Sequence, residues 1–332
     1  MGRLISVFLL SVVVFLATYV IMGQKEIGLY SPIPKIFGIT SKQEVANGWF
    51  PKVSSVSADK NLDDLNLSAK SALVVNYDSG EVVYAKNAKE KLPVASTVKI
   101  MTALVALGNK GLDDTFTVSA KAAHIGEDSM GLTEGEKVTL KELLYGLMLV
   151  SGNDAAITIA EGVAQNELAF VDLMNKKARS LGLSDTEFIN ASGLDEDGKV
   201  QYSTAYDMAT IARYAWENFA PFRQVAQTEH IVIGANANHK EFDLYNDTNL
   251  LTTYPGVKGI KPGFTWEAGL CLVTYAENKQ SLRSSALPAG LDGKKLLAVV
   301  LGSDNRRGEM KELLDYGFSY YGIKVSHPAL DL

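Results

Sequence analysis

The hydrophobic pattern from residue 71 onward predicts a domain that mixes strands and helices. Ser71–Tyr77 and Val82–Lys86 are rich in β-branched and aromatic residues, and Asp78-Ser79-Gly80 between them is a turn sequence. Two such runs around a short polar turn predict a β-hairpin. Thr97–Leu107 is apolar on most faces, which predicts a helix buried in the middle of the domain.

A helical block and a second group of strands follow. Thr139-Leu140-Lys141-Glu142 has the form of a capping box and opens an apolar run that ends at Val150. Asn153-Asp154 is expected to cap the next helix. The remaining predicted elements are helices 155–163, 167–181 and 203–218, strands 257–265, 269–276 and 295–303, and a closing helix 306–318. This order predicts an α/β protein of the α+β type, with an antiparallel sheet flanked by helices and an inserted helical subdomain.

The N-terminal residues differ from the rest of the chain. Residues 4–22 carry no charge, and as a helix they would span about 28 Å, close to the thickness of a bilayer core. We therefore interpret residues 1–22 as a transmembrane anchor, with a cleaved signal segment as the alternative. Residues 23–67 contain prolines and a serine-rich patch and are predicted to be a stalk, or else an irregular wrap on the domain. The domain is expected at 68–325, followed by a tail at 326–332.

Composition and charge exclude several classes of function. The 332 residues include 32 Lys+Arg and 38 Asp+Glu, a formal net charge of −6, and no basic run, which argues against nucleic acid as a partner. Cys271 is the only cysteine, so a disulfide framework and a cysteine-built zinc site are excluded. The four histidines are scattered, which argues against a histidine-built metal site.

Ser96-Thr97-Val98-Lys99 is the first element of a candidate catalytic centre. A spacing of three places both side chains on one face of the predicted helix. A lysine can take the proton of a serine hydroxyl only if its pKa falls well below about 10.4, and burial, a helix N-terminus and a second cation all act in that direction. The alternative is a helix cap beside a surface lysine, and a second Ser-x-x-Lys occurs at Ser57-Ala58-Asp59-Lys60 in the predicted stalk.

Two further motifs follow in the chain. Ser151-Gly152-Asn153 falls at the predicted break between two helices, where a hydroxyl and an amide can face a cleft. The alternative is that these residues only end one helix and begin the next. Lys261-Pro262-Gly263 lies in a predicted strand, where a solvated lysine before a turn is the alternative. Ser303-Asp304-Asn305 comes after these motifs and therefore in the wrong order to belong with them.

The order Ser-x-x-Lys, Ser-x-Asn, Lys-x-Gly resembles that of the serine β-lactamases and penicillin-binding proteins. From about Leu67 to Ile323 the chain is similar to the low-molecular-mass penicillin-binding proteins of the D-alanyl-D-alanine carboxypeptidase family. The stretches that carry this resemblance beyond the three motifs are Leu92–Ala95, Ser129–Leu132, Glu142–Leu147, Asn190–Leu194, Ser203–Met208 and Tyr254–Val257.

The resemblance implies a β-lactamase/DD-peptidase-like fold and a serine enzyme that removes the terminal D-alanine of peptidoglycan stem pentapeptides. It implies that Ser96 is the nucleophile, Lys99 its base, Ser151 a proton relay and Asn153 a positioning group. It also implies covalent inhibition by β-lactams and no cofactor. The catalytic domain is expected on the extracytoplasmic side of the cell membrane. Which diamino acid occupies the third position of the stem peptide stays open.

The resemblance also implies a substrate-binding set on the last strands and the closing helix. It consists of Lys261, Gly263, Phe264, Thr265 and Arg306. Lys261 and Arg306 would attract the terminal carboxylate of the substrate, with Arg307 as the alternative to Arg306. The backbone N–H groups of Ser96 and Phe264 would form the oxyanion hole.

Three features depart from the family pattern. Pro262 stands where the family usually has a threonine, which removes a hydroxyl and an N–H, and we expect weaker recognition of the substrate carboxylate. Residues 278–293 form a long connection between two predicted strands. The chain also ends soon after the closing helix, without the β-rich second domain that many relatives carry, which favours the N-terminal anchor.

Three competing functions stay open on the sequence. A class A-type β-lactamase needs a carboxylate to activate the deacylating water, and Glu187-Phe188-Ile189-Asn190 offers a Glu-x-x-Asn pattern. A D,D-endopeptidase would use the same residues as a carboxypeptidase. A membrane-tethered protein that binds peptidoglycan or β-lactams with little turnover would follow if Pro262 abolished catalysis.

Overall fold

The computed structural model describes residues 49–52, 65–196, 199, 201–248, 250–278 and 293–327. The predicted anchor, residues 23–48 and 53–64 of the predicted stalk, most of the 278–293 connection and the end of the tail lie outside these residues. Within the described part of the chain, no helix has the length and apolar composition needed to cross a membrane.

A five-stranded antiparallel sheet forms the centre of the domain, in the order β2-β1-β9-β8-β7. Two small two-stranded sheets, β3–β4 and β5–β6, lie outside it and were not predicted. The strands are β1 (Ser71–Asn76), β2 (Val82–Lys86), β3 (Thr115–Thr117), β4 (Lys137–Thr139), β5 (His230–Ile233), β6 (Phe242–Tyr245), β7 (Val257–Thr265), β8 (Gly269–Glu277) and β9 (Lys295–Ser303).

Helices cover both faces of this sheet. They are α1 (Lys99–Asn109), α2 (Ala120–Ala123), α3 (Leu140–Leu149), α4 (Asn153–Ala164), α5 (Glu167–Ser180), α6 (Ala205–Asn218), α7 (Ala220–Ala226), α8 (Leu250–Thr253) and α9 (Arg306–Tyr320). Alternate residues of a strand face opposite sides. Accordingly Val74 packs in a core with Leu313 of α9, whereas Leu73 and Val75 pack in the other core with α1 and α6. The sheet is therefore buried on both faces, as its continuous apolar runs indicate.

The caps that the sequence predicts are present in two helices. Thr139 and Glu142 form a complete capping box at the start of α3. The side chain of Thr204 accepts a hydrogen bond from the backbone N–H of Asp207 at the start of α6. The predicted cap at Asn153 is wrong, because Gly152 is the N-cap of α4 and no side chain caps that helix. The side-chain amide of Asn153 therefore takes no part in capping and can bind elsewhere.

The boundary predicted between stalk and domain needs a correction. Trp49 is buried, and the guanidinium of Arg213 lies over its ring at 4.7 Å. Lys52 pairs with Glu81 beside the β1–β2 turn, and the hydroxyl of Tyr206 donates to the carbonyl of Pro51. Residues 49–52 therefore pack on the domain as a wrap, which was the alternative to a stalk for this segment.

Candidate active site

The predicted nucleophile lies in a short turn directly before α1. Ala95–Val98 forms one turn of 3-10 helix, and Ala95 has a φ of 47°. Lys99 is the first residue of α1. The spacing of three therefore brings Nζ of Lys99 to 2.8 Å from Oγ of Ser96. The structure places these two side chains together as predicted.

Three oxygen atoms surround the amine of Lys99, which is fully buried. Besides Oγ of Ser96 at 2.8 Å, Nζ donates to Oδ1 of Asn153 at 2.8 Å and to the carbonyl oxygen of Ser192 at 2.6 Å. The last two are acceptors only. A neutral amine that donates both its hydrogens to them keeps its lone pair for the hydroxyl proton of Ser96. A protonated amine donates to all three oxygens.

The surroundings of Lys99 favour its neutral form. Burial is the main cause that holds the pKa of Lys99 well below its usual value, and the positive charge of Lys261 lowers it further. The carboxylates of Asp128 and Asp247 act in the opposite direction. Because desolvation penalises the charged form of a lysine, the amine is suited to act as a base.

The Ser151-Gly152-Asn153 motif occupies the break between α3 and α4. Ser151 has a φ of 59°, and its Oγ is buried without a hydrogen-bond partner in the described part of the chain. Asn153 accepts from Lys99 through Oδ1 and donates through Nδ2 to the carbonyl of Gly126 at 3.2 Å. The hydroxyl of Ser151 lines the cleft described below, and the amide of Asn153 is held next to it by Lys99 and Gly126.

Asp154 supports this motif and was predicted only as part of a cap. Its carboxylate is 1% exposed and accepts hydrogen bonds from the backbone N–H groups of Met130, Gly131 and Leu132 and from the hydroxyl of Ser129. Because all four donors belong to residues 129–132, this buried carboxylate fixes that loop to the start of α4.

Lys261 lies in β7, the edge strand, and is fully buried. Its Nζ is 3.7 Å from Oδ2 of Asp247 and has no hydrogen bond within the described residues. Burial lowers the pKa of Lys261, and Asp247 counteracts this. In turn burial raises the pKa of Asp247, and Lys261 counteracts that shift. No sequence motif marked Asp247, which lies on the loop after β6.

Strand β7 passes close to the nucleophile turn at Gly263. A Cβ on this residue would lie 2.9 Å from the backbone nitrogen of Ser96 and 3.1 Å from that of Thr97. Only glycine lets the two backbones approach so closely. Phe264, the next residue, is 46% exposed and stacks edge-on against Trp266, which is 92% exposed.

Pro262 leaves the strand register intact. The pairing of β7 with β8 runs without a break from Ile260 to Thr265, with Pro262 opposite Leu272. Proline is tolerated in an edge strand where its nitrogen faces away from the ladder.

Arg306 and Thr265 complete the predicted substrate-binding set. Nη1 of Arg306 donates to the carbonyl of Gly263 at 2.7 Å, which ties the start of α9 to β7. Burial lowers the pKa of Arg306, and Asp247 counteracts this. Oγ1 of Thr265 accepts from the backbone N–H of Ala268 in the β7–β8 turn at 3.1 Å.

Six of the nine predicted site residues line a cleft of about 620 Å³, whereas Lys99, Asn153 and Lys261 are buried and are not among its lining residues. Its walls are formed by Ser96, Glu127, Asp128, Ser151, Asp195, Asp247, Pro262, Gly263, Phe264, Thr265, Trp266 and Arg306. Arg307 is exposed and is not among them. The residues the structure describes contain no group of three or more His, Cys, Asp or Glu side chains that could hold a metal ion.

Two rival motifs have other roles. The carboxylate of Glu187 accepts from the hydroxyl of Tyr202, and Glu187 does not line the cleft. The side chain of Asn305 caps α9 by accepting from the backbone N–H of Gly308. Neither the Glu-x-x-Asn pattern nor Ser303-Asp304-Asn305 therefore contributes to the cleft.

Comparisons with known proteins agree with this geometry. Residues 54–287 match the family of D-alanyl-D-alanine carboxypeptidases. The carboxypeptidase DacF of Bacillus subtilis is 37% identical over 285 residues, which cover 84% of this chain and 68% of that protein. This chain thus spans about two thirds of the length of that relative.

Solved structures show the same similarity. A variant of a DD-transpeptidase from Streptomyces superposes with a TM-score of 0.67 at 30% identity, covering 77% of this chain and 99% of the other. A penicillin-binding protein from Listeria monocytogenes in its cefotaxime-bound form superposes with a TM-score of 0.66 at 28% identity, again over 77% and 99%.

Proposed function

The chain belongs to the D-alanyl-D-alanine carboxypeptidase family of serine peptidases, and we propose that Ser96 performs the family's reaction in the cleft described above. The observation that carries this proposal is the buried amine of Lys99, held between the Ser96 hydroxyl and two obligate acceptors. The substrate is the D-Ala-D-Ala end of a peptidoglycan stem peptide.

Lys99 acts as the general base for acylation. Its neutral amine takes the proton of Ser96 while the serine oxygen attacks the carbonyl between the two terminal D-alanines. The resulting ammonium keeps three acceptors within 2.8 Å. A positioned general base accelerates such a step by about 10²–10⁴-fold.

Ser151 relays the proton that Lys99 took from Ser96 to the leaving amine, which returns Lys99 to its neutral form. Its hydroxyl is buried and unpartnered among the described residues, so it is free to bond to the departing D-alanine. The bond between the two alanines breaks, D-alanine leaves with this proton, and the rest of the peptide stays as an ester on Ser96. Water then attacks the ester: Lys99 takes a proton from the water and returns it to Oγ of Ser96 as the bond between the acyl group and Ser96 breaks.

The backbone next to Gly263 stabilises the charge that develops on the carbonyl oxygen. Gly263 lets β7 approach the amide of Ser96, so the N–H groups of Ser96 and Phe264 are the candidate oxyanion donors. Loss of one such donor typically costs about 10²–10³-fold in rate.

The positive side of the cleft holds the terminal carboxylate of the substrate. Arg306 and Thr265 line the cleft and supply a charge and a hydroxyl, and Lys261 adds its charge from a buried position. Arg306 uses Nη1 for the carbonyl of Gly263, which leaves its other N–H groups for a ligand. Pro262 lines the same part of the cleft and offers no donor, so we expect weaker carboxylate binding than a threonine would give.

β-Lactams follow the same route. A strained lactam carbonyl that occupies the place of the D-Ala-D-Ala bond is attacked by Ser96. The C–N bond of the lactam opens, its nitrogen takes up the proton, and the opened ring stays on Ser96 as a covalent ester. A class A-type β-lactamase would need the Glu-x-x-Asn pattern at the cleft, and neither Glu187 nor Asn190 lines it. We therefore expect a long-lived acyl-enzyme with penicillins.

The catalytic domain acts outside the cytoplasm, where peptidoglycan is located. We further propose that residues 4–22 anchor it in the cell membrane, because this stretch is uncharged and long enough to span a bilayer core. Fractionation of cells that produce the full chain tests this proposal: recovery with the membrane supports an anchor, and a shortened soluble chain supports a cleaved signal segment.

Release of D-alanine tests the proposed reaction. The full chain, a Ser96→Ala variant and a Ser57→Ala control from the second Ser-x-x-Lys are incubated with a stem pentapeptide and with a crosslinked peptide dimer. Release of D-alanine from the pentapeptide by the wild type and the control, and none by Ser96→Ala, is expected. Cleavage of the dimer alone would replace the proposal with an endopeptidase, and binding without any cleavage would indicate a non-catalytic protein.

A further inference from the structure

Asp247 places a negative charge of the protein at the positive side of the cleft. Its carboxylate lies 3.7 Å from Nζ of Lys261, and 40% of the Asp247 side chain is exposed. Asp247 lines the cleft together with Pro262 and Arg306, whereas Lys261 is fully buried and is not a lining residue. The carboxylate of Asp247 therefore faces both the cleft and the buried cation.

The backbone holds Asp247 in this place. Its N–H donates to the carbonyl of Leu149, the last residue of α3, at 3.0 Å. The preceding residue, Asn246, donates from its backbone N–H to the carbonyl of Glu229 at 2.8 Å, and its Oδ1 accepts from the N–H of Thr248 at 2.9 Å. Asp247 is thus carried by a backbone that is fixed on both sides of it.

Arg306 is the second cation on which Asp247 acts. The two residues border one small cavity of about 20 Å³ beside Pro262. Burial lowers the pKa of Arg306 and Asp247 opposes this shift, while Lys261 and Arg306 in return favour the ionised form of Asp247. Asp128 acts on both cations in the same direction but more weakly. A carboxylate that stabilises two cations also neutralises part of the charge that they present to a ligand.

Few donors are left for a substrate carboxylate at this end of the cleft. Nη1 of Arg306 is bound to the carbonyl of Gly263, and Pro262 has neither an N–H nor a hydroxyl. Lys261 contributes only from its buried position beside Asp247. A like charge next to a binding site weakens the binding of an anion, whereas a neutral group of the same size is not repelled.

We propose that Asp247 is a specificity-determining residue that competes with the C-terminal carboxylate of the substrate for Lys261 and Arg306. The enzyme consequently discriminates only weakly between peptides that end in a free carboxylate and peptides whose C-terminal group is uncharged. This proposal rests on the proposed function, because the carboxylate concerned belongs to the D-alanine that the reaction at Ser96 releases.

Matched substrates measure this competition. A stem pentapeptide that ends in D-Ala-D-Ala is compared with the same peptide carrying a C-terminal carboxamide, by kcat/KM for cleavage of the D-Ala–D-Ala bond. The ratio of acid to amide is expected to be about tenfold higher in Asp247→Asn than in the wild type, mainly through a lower KM for the acid. Asp247→Ser, a second neutral variant, is expected to behave in the same way. Asp247→Glu keeps the charge and is expected to keep the ratio within about threefold of the wild type.

Asp195→Asn is the matched control. Asp195 is exposed and lines the same cleft, and it forms no ion pair with Lys261 or Arg306 among the residues that the structure describes. The substitution removes the same charge from the same cleft and is expected to leave the ratio of acid to amide unchanged.

The ratio also separates this proposal from the function on which it rests. An unchanged ratio in Asp247→Asn overturns the proposal while leaving the carboxypeptidase in place, since a purely structural role lowers the cleavage of both peptides alike. A lower ratio overturns it as well, because Asp247 would then be needed to keep Lys261 charged or in position. An equal rise in Asp195→Asn overturns the assignment to Asp247. Cleavage of neither peptide by the wild type overturns the proposed function and this proposal with it.

Discussion

Gly193 is the residue whose substitution tests the packing of the nucleophile most sharply. It follows Ser192, whose carbonyl accepts from Lys99, and has a φ of 89°. A Cβ on Gly193 would lie 2.2 Å from the carbonyl oxygen of Ala95 and 2.8 Å from the backbone nitrogen of Ser96. Both contacts are with backbone, so no side chain can rotate away to relieve them.

Two costs add in Gly193→Ala. The left-handed backbone costs a residue with a Cβ about 1–2 kcal/mol. Overpacking against the nucleophile turn adds about 1–3 kcal/mol. The free energy of unfolding is therefore expected to fall by about 2–5 kcal/mol. Gly135→Ala is the matched control, since Gly135 has a φ of 85° and open space around its Cβ, and it is expected to lose only the first part.

The effect on activity is expected to be larger than that on stability. Relief of the clash displaces the backbone of Ala95 and Ser96, and a misplacement of about 1 Å can cost about 100-fold in rate. Urea unfolding gives the stability, and the rate of acylation by benzylpenicillin gives the activity of the folded fraction. If Gly193→Ala lost no more stability than Gly135→Ala and acylated within threefold of the wild type, close packing of Gly193 on the nucleophile turn would be refuted.

Four other outcomes follow from the structure. Gly263→Ala is expected to slow acylation by about 10²-fold because its Cβ would meet the nucleophile turn, while Gly234→Ala, with nothing within 4 Å, leaves the rate unchanged. Lys261→Met removes the charge that lowers the pKa of the general base, so the acid limb of the pH–acylation profile is expected to move to higher pH; an unmoved limb contradicts this electrostatic role. Pro262→Thr is expected to lower the KM for a D-Ala-D-Ala peptide, and an unchanged KM refutes the idea that proline weakens carboxylate binding. Burial raises the pKa of the Cys271 thiol to about 11, so iodoacetamide at pH 8 is expected to label it only in denaturant, as mass spectrometry of the native and unfolded protein will show.

Strands and helices could be predicted from the sequence where the spacing of hydrophobic residues and the turn or capping residues indicate the same element. The hairpin around Asp78-Ser79-Gly80 and helix α6 with its Thr204 cap follow from local patterns alone. The two-stranded sheets β3–β4 and β5–β6 were missed because each strand has only three or four residues. Such short strands carry too little alternation to be distinguished from loops.

The site was predictable through its side chains and not through its backbone. Ser96, Lys99 and Asn153 meet as their motifs indicate. The carbonyl of Ser192, a third partner of Lys99, has no side-chain signature because every residue carries a carbonyl. Asp247 was missed for another reason: its partnership with Lys261 joins a loop to a strand and follows no spacing rule.

The proposed reaction depends most directly on Lys99 as the base that activates Ser96. The measurement that tests this role is the rate at which benzylpenicillin acylates Ser96, followed by mass spectrometry of the Ser96 peptide in the wild type, in Lys99→Met and in the control Lys60→Met from the second Ser-x-x-Lys. We predict an adduct on Ser96 in the wild type and the control, and a rate at least about 10²-fold lower in folded Lys99→Met. An adduct on another residue, or a Lys99→Met rate equal to that of the wild type, would contradict the assignment of Ser96 as nucleophile and Lys99 as its base.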